Sequence, residues 1–198
     1  MMMMSRSLFS DHSDAPPSPP AEAAASELSG PHWVARFPTS QRLEDLIEPF
    51  RTNVGRFIAA LQAAGASVRI SATYRPPERA YLMHYAKKLA DGRLRAAEVP
   101  PMAGVPIEWV HATEAASRQA AAAMVRAYGI VYAPALRSRH TEGRAIDMTI
   151  DHAIGKTVET GDGSAVRVAS LRVLHRVGAS YGVIKLLSDP PHWSDDGH

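Results

Sequence analysis

The amino-acid sequence predicts an α+β fold, a small antiparallel sheet packed with helices. Helical three- and four-residue periodicities come first and short strand-like runs mix in later, without the regular strand–helix alternation of a parallel sheet. Two of those short runs also flank Gly161-Asp162-Gly163, which reads as a hairpin turn.

The elements follow in order. Residues 1–40 are expected to form a flexible tail, because Asp14-Ala15-Pro16-Pro17-Ser18-Pro19-Pro20 continues neither a helix nor a sheet ladder. Trp33, Val34 and Phe37 are the residues in it able to dock on the domain, which is placed at 41–198. From Gln41, Leu43, Leu46, Ile47, Phe50, Val54, Phe57, Ile58 and Leu61 recur at helical spacing up to Gly65. Ser67 to Thr73 alternates Val68, Ile70 and Ala72 with Arg69 and Ser71, the period of a half-buried strand. Pro76 and Pro77 stop that strand and suit the first turn of a helix from about Pro77 to Ala90. Ala96 to Ile107 carries three prolines and a glycine and reads as a loop. Thr113 caps a third helix that runs to about Tyr128. Beyond Gly129 come a strand from Ala145 to Ile150, a hairpin of Lys156 to Glu159 with Ala165 to Val168, a helix from about Ala169 to Tyr181, and a short run Val183-Ile184-Lys185.

Composition removes several function classes. Of 198 residues, 45% are apolar, so most of the chain can bury a core. Lys and Arg number 22 against 20 Asp and Glu, without a basic run, so nucleic acid is not an expected partner. With no cysteine, disulfides and thiolate metal sites are excluded, and a metal must be held by His, Asp or Glu. No stretch approaches the ~18 apolar residues of a membrane span. Met1 to Met4 give way at once to Ser5-Arg6-Ser7, so no secretory signal is read and synthesis in the cytoplasm is expected. No HExxH, P-loop, GxGxxG or GxSxG pattern is present.

The informative segment is Ser138-Arg139-His140-Thr141-Glu142-Gly143-Arg144-Ala145-Ile146-Asp147. In a strand starting at Ala145, side chains alternate between faces. Ile146, Met148 and Ile150 form the core face, so Asp147 points away from the core on a backbone that the core holds rigid. Gly143 lets the chain turn, so His140 can fold back over the same point. An imidazole and a carboxylate converging there suit zinc. With nine His and ten Asp in the chain, His-x6-Asp alone occurs by chance about half the time. With Ser, Gly and Ala also required at their positions, the expectation falls to roughly one in two thousand. Catalytic zinc keeps three protein ligands and an open position. His192 is the best candidate for the third, stiffened by Pro190-Pro191 and walled by Trp193. Asp189, three residues earlier, is placed to act on water as a general base without ligating the metal.

These residues resemble the family of zinc D-Ala-D-Ala carboxypeptidases and L-alanyl-D-glutamate endopeptidases, which shares its fold with the Hedgehog signalling domain. The family pattern is Ser-x-His-x-x-Gly-x-Ala-x-Asp, matched here by Ser138 to Asp147. Near the C-terminus it has an acidic residue, two further residues, His and commonly an aromatic, matched by Asp189 to Trp193. Upstream, Ser71-Ala72-Thr73-Tyr74-Arg75-Pro76-Pro77 is similar to the family's strand running into Tyr-Arg-Ser/Pro-Pro. The resemblance covers about Ile70 to Trp193.

It implies one zinc per chain on His140, Asp147 and His192, with Asp189 as base. It also implies that Arg75 polarises the scissile carbonyl or holds a substrate carboxylate, and that Ser138 lines the substrate cleft. An Asp as base resembles the phage-endolysin branch. The expected function is therefore a monomeric zinc peptidase of peptidoglycan stem peptides, an L-Ala–D-Glu endopeptidase that reaches the wall after lysis or through a secretion machine. The alternatives are a D-Ala-D-Ala carboxypeptidase and a non-catalytic zinc domain used for binding. The remaining histidines, including His84, His111, His152, His175 and His198, are read as structural or terminal.

Overall fold

The computed structural model describes residues 25–198, so residues 1–24 of the expected tail lie outside the described residues. In chain order the strands are β1 (Glu27–Leu28), β2 (Ser67–Ala72), β3 (Ile107–Glu108), β4 (Ala145–Asp151), β5 (Thr157–Glu159), β6 (Ala165–Arg167), β7 (Ile184–Lys185) and β8 (His192–Ser194). The helices are α1 (Phe50–Ala63), α2 (Pro77–Ala90), α3 (Glu114–Tyr128) and α4 (Leu171–Ser180). β2, β4, β8 and β7 form, in that order, a four-stranded antiparallel sheet. β5 and β6 make the expected hairpin, so the α+β reading holds. Among the described residues no helix is long and apolar enough to cross a membrane.

The core face of the sheet follows from the alternation read in β4. Ile146 and Met148 join Phe50, Val54, Phe57 and Leu61 of α1 and Leu174 and Val177 of α4 in one buried cluster. Gly178 lets α4 approach this sheet: a Cβ there would stand 2.6 Å from Trp193 and 2.8 Å from the Val183 carbonyl oxygen. A second cluster joins α2 and α3 through Tyr81, Leu82, Tyr85, Leu89, Ala121 and Met124.

The first helix is shorter than its periodicity suggests. Leu43–Asp45 is a single 3-10 turn, and the α-helix begins only at Phe50, after Pro49. Proline lacks an N–H and disfavours the helical region for the residue before it, so the stripe from Leu43 to Leu61 is divided at Pro49. Ala96 to Ile107 likewise contains structure, a 3-10 turn at Ala96–Glu98 and the start of β3.

The expected boundary at residue 40 is corrected. Glu27 and Leu28 pair in parallel with Ile107 and Glu108, and a 3-10 helix follows over Pro31–Ala35. Trp33 is fully buried in the second cluster, its indole N–H donating to the Leu28 carbonyl at 3.1 Å. Ser40 exchanges main-chain bonds with Thr73 and Tyr74, at 2.7 and 2.8 Å, extending the ladder beside β2. The packed unit thus includes residues 27–40. An indole buries ~150–250 Å², enough to anchor a segment whose polar and proline-rich average suggests otherwise. Trp33→Ala is expected to cost about 3–5 kcal/mol in urea unfolding, and removal of residues 1–38 to prevent folding. A loss below about 1 kcal/mol for Trp33→Ala would show the docking to be dispensable.

Candidate metal centre

Asp147 sits on β4 directly opposite His192 on β8. Directly opposed residues of an antiparallel pair share a face, so imidazole and carboxylate stand side by side on the side away from the main core. The same alternation turns Trp193 the other way. It is not a wall of the site: it lies in the main core, its ring centroid 5.5 Å from that of Phe57.

His140 arrives from the turn before β4. Gly143 adopts φ 68°, a left-handed conformation that glycine takes without steric cost, and its carbonyl accepts from the Ile47 N–H at 3.0 Å. Main-chain bonds from Glu142 to Ser138 and from Arg144 to Arg139 close the turn. The segment just after β2 then holds His140 twice, its carbonyl accepting from the Arg75 N–H at 3.1 Å and its ring Nδ1 facing the Thr73 carbonyl at 2.7 Å.

Three atoms meet at one point. His140 Nε2 is 3.1 Å from Asp147 Oδ1 and 3.2 Å from His192 Nδ1, and His192 Nδ1 is 3.2 Å from Asp147 Oδ1. The two rings cross at 78°, with their centroids 4.9 Å apart. The outer nitrogens decide what the inner ones offer. A main-chain oxygen only accepts, so His140 Nδ1–H donates to that of Thr73, and His192 Nε2–H donates to that of His198 at 3.1 Å. A neutral imidazole protonated outside carries its lone pair inside. The site therefore directs two imidazole lone pairs and a carboxylate oxygen at each other, an arrangement that suits a cation at its centre.

Zinc fits that arrangement. Ligands about 2.0–2.1 Å from a tetrahedral ion stand about 3.3–3.4 Å apart, close to the observed triangle, and two nitrogens with one oxygen are donors zinc accepts. Without a metal, a proton takes the same place. Burial pulls the His192 imidazole down, but its bonds to Asp147 and to the His198 main-chain oxygen outweigh this and raise it. Burial pushes the Asp147 carboxyl up, yet the close imidazoles of His140 and His192 hold it well below the usual carboxylate range. Among the described residues this is the single group of three or more such side chains that converge.

The triangle opens into a cavity of about 550 Å³, whose lining includes all of the sequence-predicted site residues: Arg75, Ser138, His140, Asp147, Asp189 and His192. Arg75 Nε and Ser138 Oγ are buried there without a hydrogen-bond partner. Burial pulls the Arg75 guanidinium down from its ordinary value, while Asp147 and Asp189 act to raise it. Asp189 reaches the cavity because Asp189-Pro190-Pro191-His192 is a tight turn closed by the His192 N–H on the Asp189 carbonyl at 3.1 Å. Among the described residues no ion pair or hydrogen bond holds the Asp189 carboxylate, whereas Glu142, also in the lining, is engaged by Arg139 at 2.7 Å and Arg137 at 3.3 Å.

Two features escaped the sequence. The main-chain oxygens of Thr73 and His198 orient the imidazoles of His140 and His192, and a main-chain atom carries no residue-type signal. His198, read as a terminal residue, is brought back by Ser194, whose Oγ accepts from the N–H groups of Gly197 and His198 at 2.8 and 3.0 Å.

A scan against models of known protein families finds no match, and a comparison with curated proteins finds none either. Among solved structures the chain is similar to a point mutant of the vancomycin-resistance D,D-pentapeptidase VanY from a VanB-type resistance cassette, in complex with Zn(II). The identity is 16%, over 81% of this chain and 80% of that chain, with a TM-score of 0.37.

Proposed function

We propose that this chain is a zinc metallopeptidase that hydrolyses peptidoglycan stem peptides, cutting internally between L-Ala and D-Glu. The observation that carries the reading is the closed triangle of His140, Asp147 and His192, set in one cavity with Arg75, Ser138 and Asp189. These are the positions at which the sequence resembles the zinc carboxypeptidase and endopeptidase family.

A zinc ion held by the three atoms supplies Lewis acidity toward a peptide carbonyl and toward water. The chain's own groups do the rest. The unengaged Asp189 carboxylate accepts the proton of the attacking water and returns it to the leaving amine. Arg75, kept cationic by its high intrinsic pKa, presents its unpartnered Nε–H to the oxygen on which negative charge develops. Ser138 Oγ offers a second unpartnered group to the peptide backbone. Arg75→Met is therefore expected to keep full zinc and to lose about 10²–10³-fold in kcat/KM. Unchanged kinetics would reduce Arg75 to a buttress of His140.

Internal cleavage is supported by the similarity of Asp189-Pro190-Pro191-His192-Trp193 to the endolysin branch. A carboxypeptidase reading draws on one observation, that Arg137 lines the cavity with its side chain 88% exposed and could close on a terminal carboxylate. A binding-only role is disfavoured by the unengaged carboxylate of Asp189, which a recognition domain has no need to hold beside a metal. We place the enzyme's action at the wall after release by lysis or through a secretion machine.

Mass spectrometry of tetrapeptide and pentapeptide muropeptides digested with the zinc-loaded protein tests the reading. Products cut between L-Ala and D-Glu from both substrates are expected. Free D-alanine from the pentapeptide, with the tetrapeptide untouched, would establish the carboxypeptidase instead.

A further inference from the structure

The turn that carries Asp189 and His192 is fastened from behind by one side chain. Lys185, on β7, directs its ammonium at three main-chain carbonyls, those of Leu186, of Asp189 at 2.5 Å and of His192 at 3.0 Å. An ammonium has three N–H donors, and here all of them end on the segment 186–192. The ammonium also stands 5.7 Å from the centroid of the Trp193 ring.

Such a fastening answers a weakness in the turn. Pro190 and Pro191 supply no N–H, and residues 187–190 are exposed, so the segment rests on a few main-chain bonds: Leu186 N–H to the His192 carbonyl, Asp189 N–H to that of Leu186, His192 N–H to that of Asp189, and Met148 N–H to that of Pro191. Each of the carbonyls of Leu186, Asp189 and His192 accepts one of these N–H groups, and the Lys185 ammonium takes a second bond to each, tying the three together. Lys185 does not line the metal cavity. It belongs to a separate groove with Pro190, Pro191 and Trp193, and so reaches the site through the backbone of the turn and through the attraction of its charge for the Asp189 and Asp147 carboxylates.

We propose that Lys185 is a positioning residue of the metal centre: by gathering three carbonyls of the turn 186–192 it sets the Asp189 carboxylate against the His192 imidazole. The kinetic part of this proposal rests on the peptidase reading; the effect on metal binding does not.

The test compares the full chain with Lys185→Met and Lys185→Arg by hydrogen exchange, zinc affinity in competition with a chromophoric chelator, and muropeptide kinetics. In Lys185→Met, exchange across 186–192 should accelerate about tenfold while β4 stays protected. Zinc affinity should fall about tenfold or more, and kcat by at least about tenfold with KM within about twofold. Lys185→Arg, which keeps charge and donors, should recover most of each loss. Zinc affinity and exchange of 186–192 within about twofold of the parent in Lys185→Met would overturn the proposal, and so would a general loss of protection that includes β4. Should Lys185→Met fail to fold, Lys185→Gln replaces it, and zinc affinity equal to the parent's there would overturn the proposal equally. A parent protein that binds zinc but cleaves no muropeptide would sink the peptidase reading, while the exchange and zinc measurements still decide the role of Lys185.

Discussion

His140→Ala and His192→Ala are each expected to retain less than about a tenth of an equivalent of zinc after dialysis and to lose at least about 10³-fold in hydrolysis. The reason is geometric. Each substitution opens one side of a triangle whose edges are 3.1 to 3.2 Å and leaves two donors where catalytic zinc uses three. It also leaves a main-chain oxygen, of Thr73 or of His198, without the ring N–H it now accepts. Metal analysis of the purified variants checks the first part and muropeptide digestion the second. Full zinc occupancy in both variants would remove these histidines from the ligand set.

Asp189→Ala is expected to separate binding from turnover. The Asp189 carboxylate lies outside the triangle, so the variant should keep one zinc and its fold while kcat falls by about 10²–10⁴-fold. Retained turnover would require another base. Glu142 is the other carboxylate in the cavity outside the triangle, and it would first have to leave Arg139 and Arg137. A double variant of Asp189 and Glu142 would then show whether the two substitute for each other.

What could be read from the sequence was local. The alternation Ile146, Asp147, Met148 placed the carboxylate on the face away from the core because a strand's period of two is written in consecutive residues. Gly143 marked the turn that returns His140, and it does adopt a positive φ. Thr113 and Gly129 marked the ends of α3, where the structure shows a side-chain cap and a left-handed C-cap. What was not legible was non-local. That His192 faces Asp147 across β4 and β8 is a matter of register between segments 45 residues apart. Once that register is known, Trp193 must point into the core, so its expected place beside the metal was lost for the same reason.

The errors at the N-terminal side have a different origin. Pro49 stood in plain view within the periodic run, and its effect on a helix is a local rule that the strength of the apolar stripe obscured. Trp33 shows the limit of composition: one buried indole outweighs a polar, proline-containing neighbourhood because burial energy follows the area of individual side chains, not a window average.

Anomalous diffraction from crystals of the zinc-loaded chain, recorded on both sides of the zinc absorption edge, tests the central claim most directly. One ion is expected per chain, about 2.0–2.1 Å from His140 Nε2, Asp147 Oδ1 and His192 Nδ1, with its remaining position facing the cavity that Arg75 and Asp189 line. An anomalous peak elsewhere on the chain, or no peak between these three side chains at full zinc loading, would contradict the account.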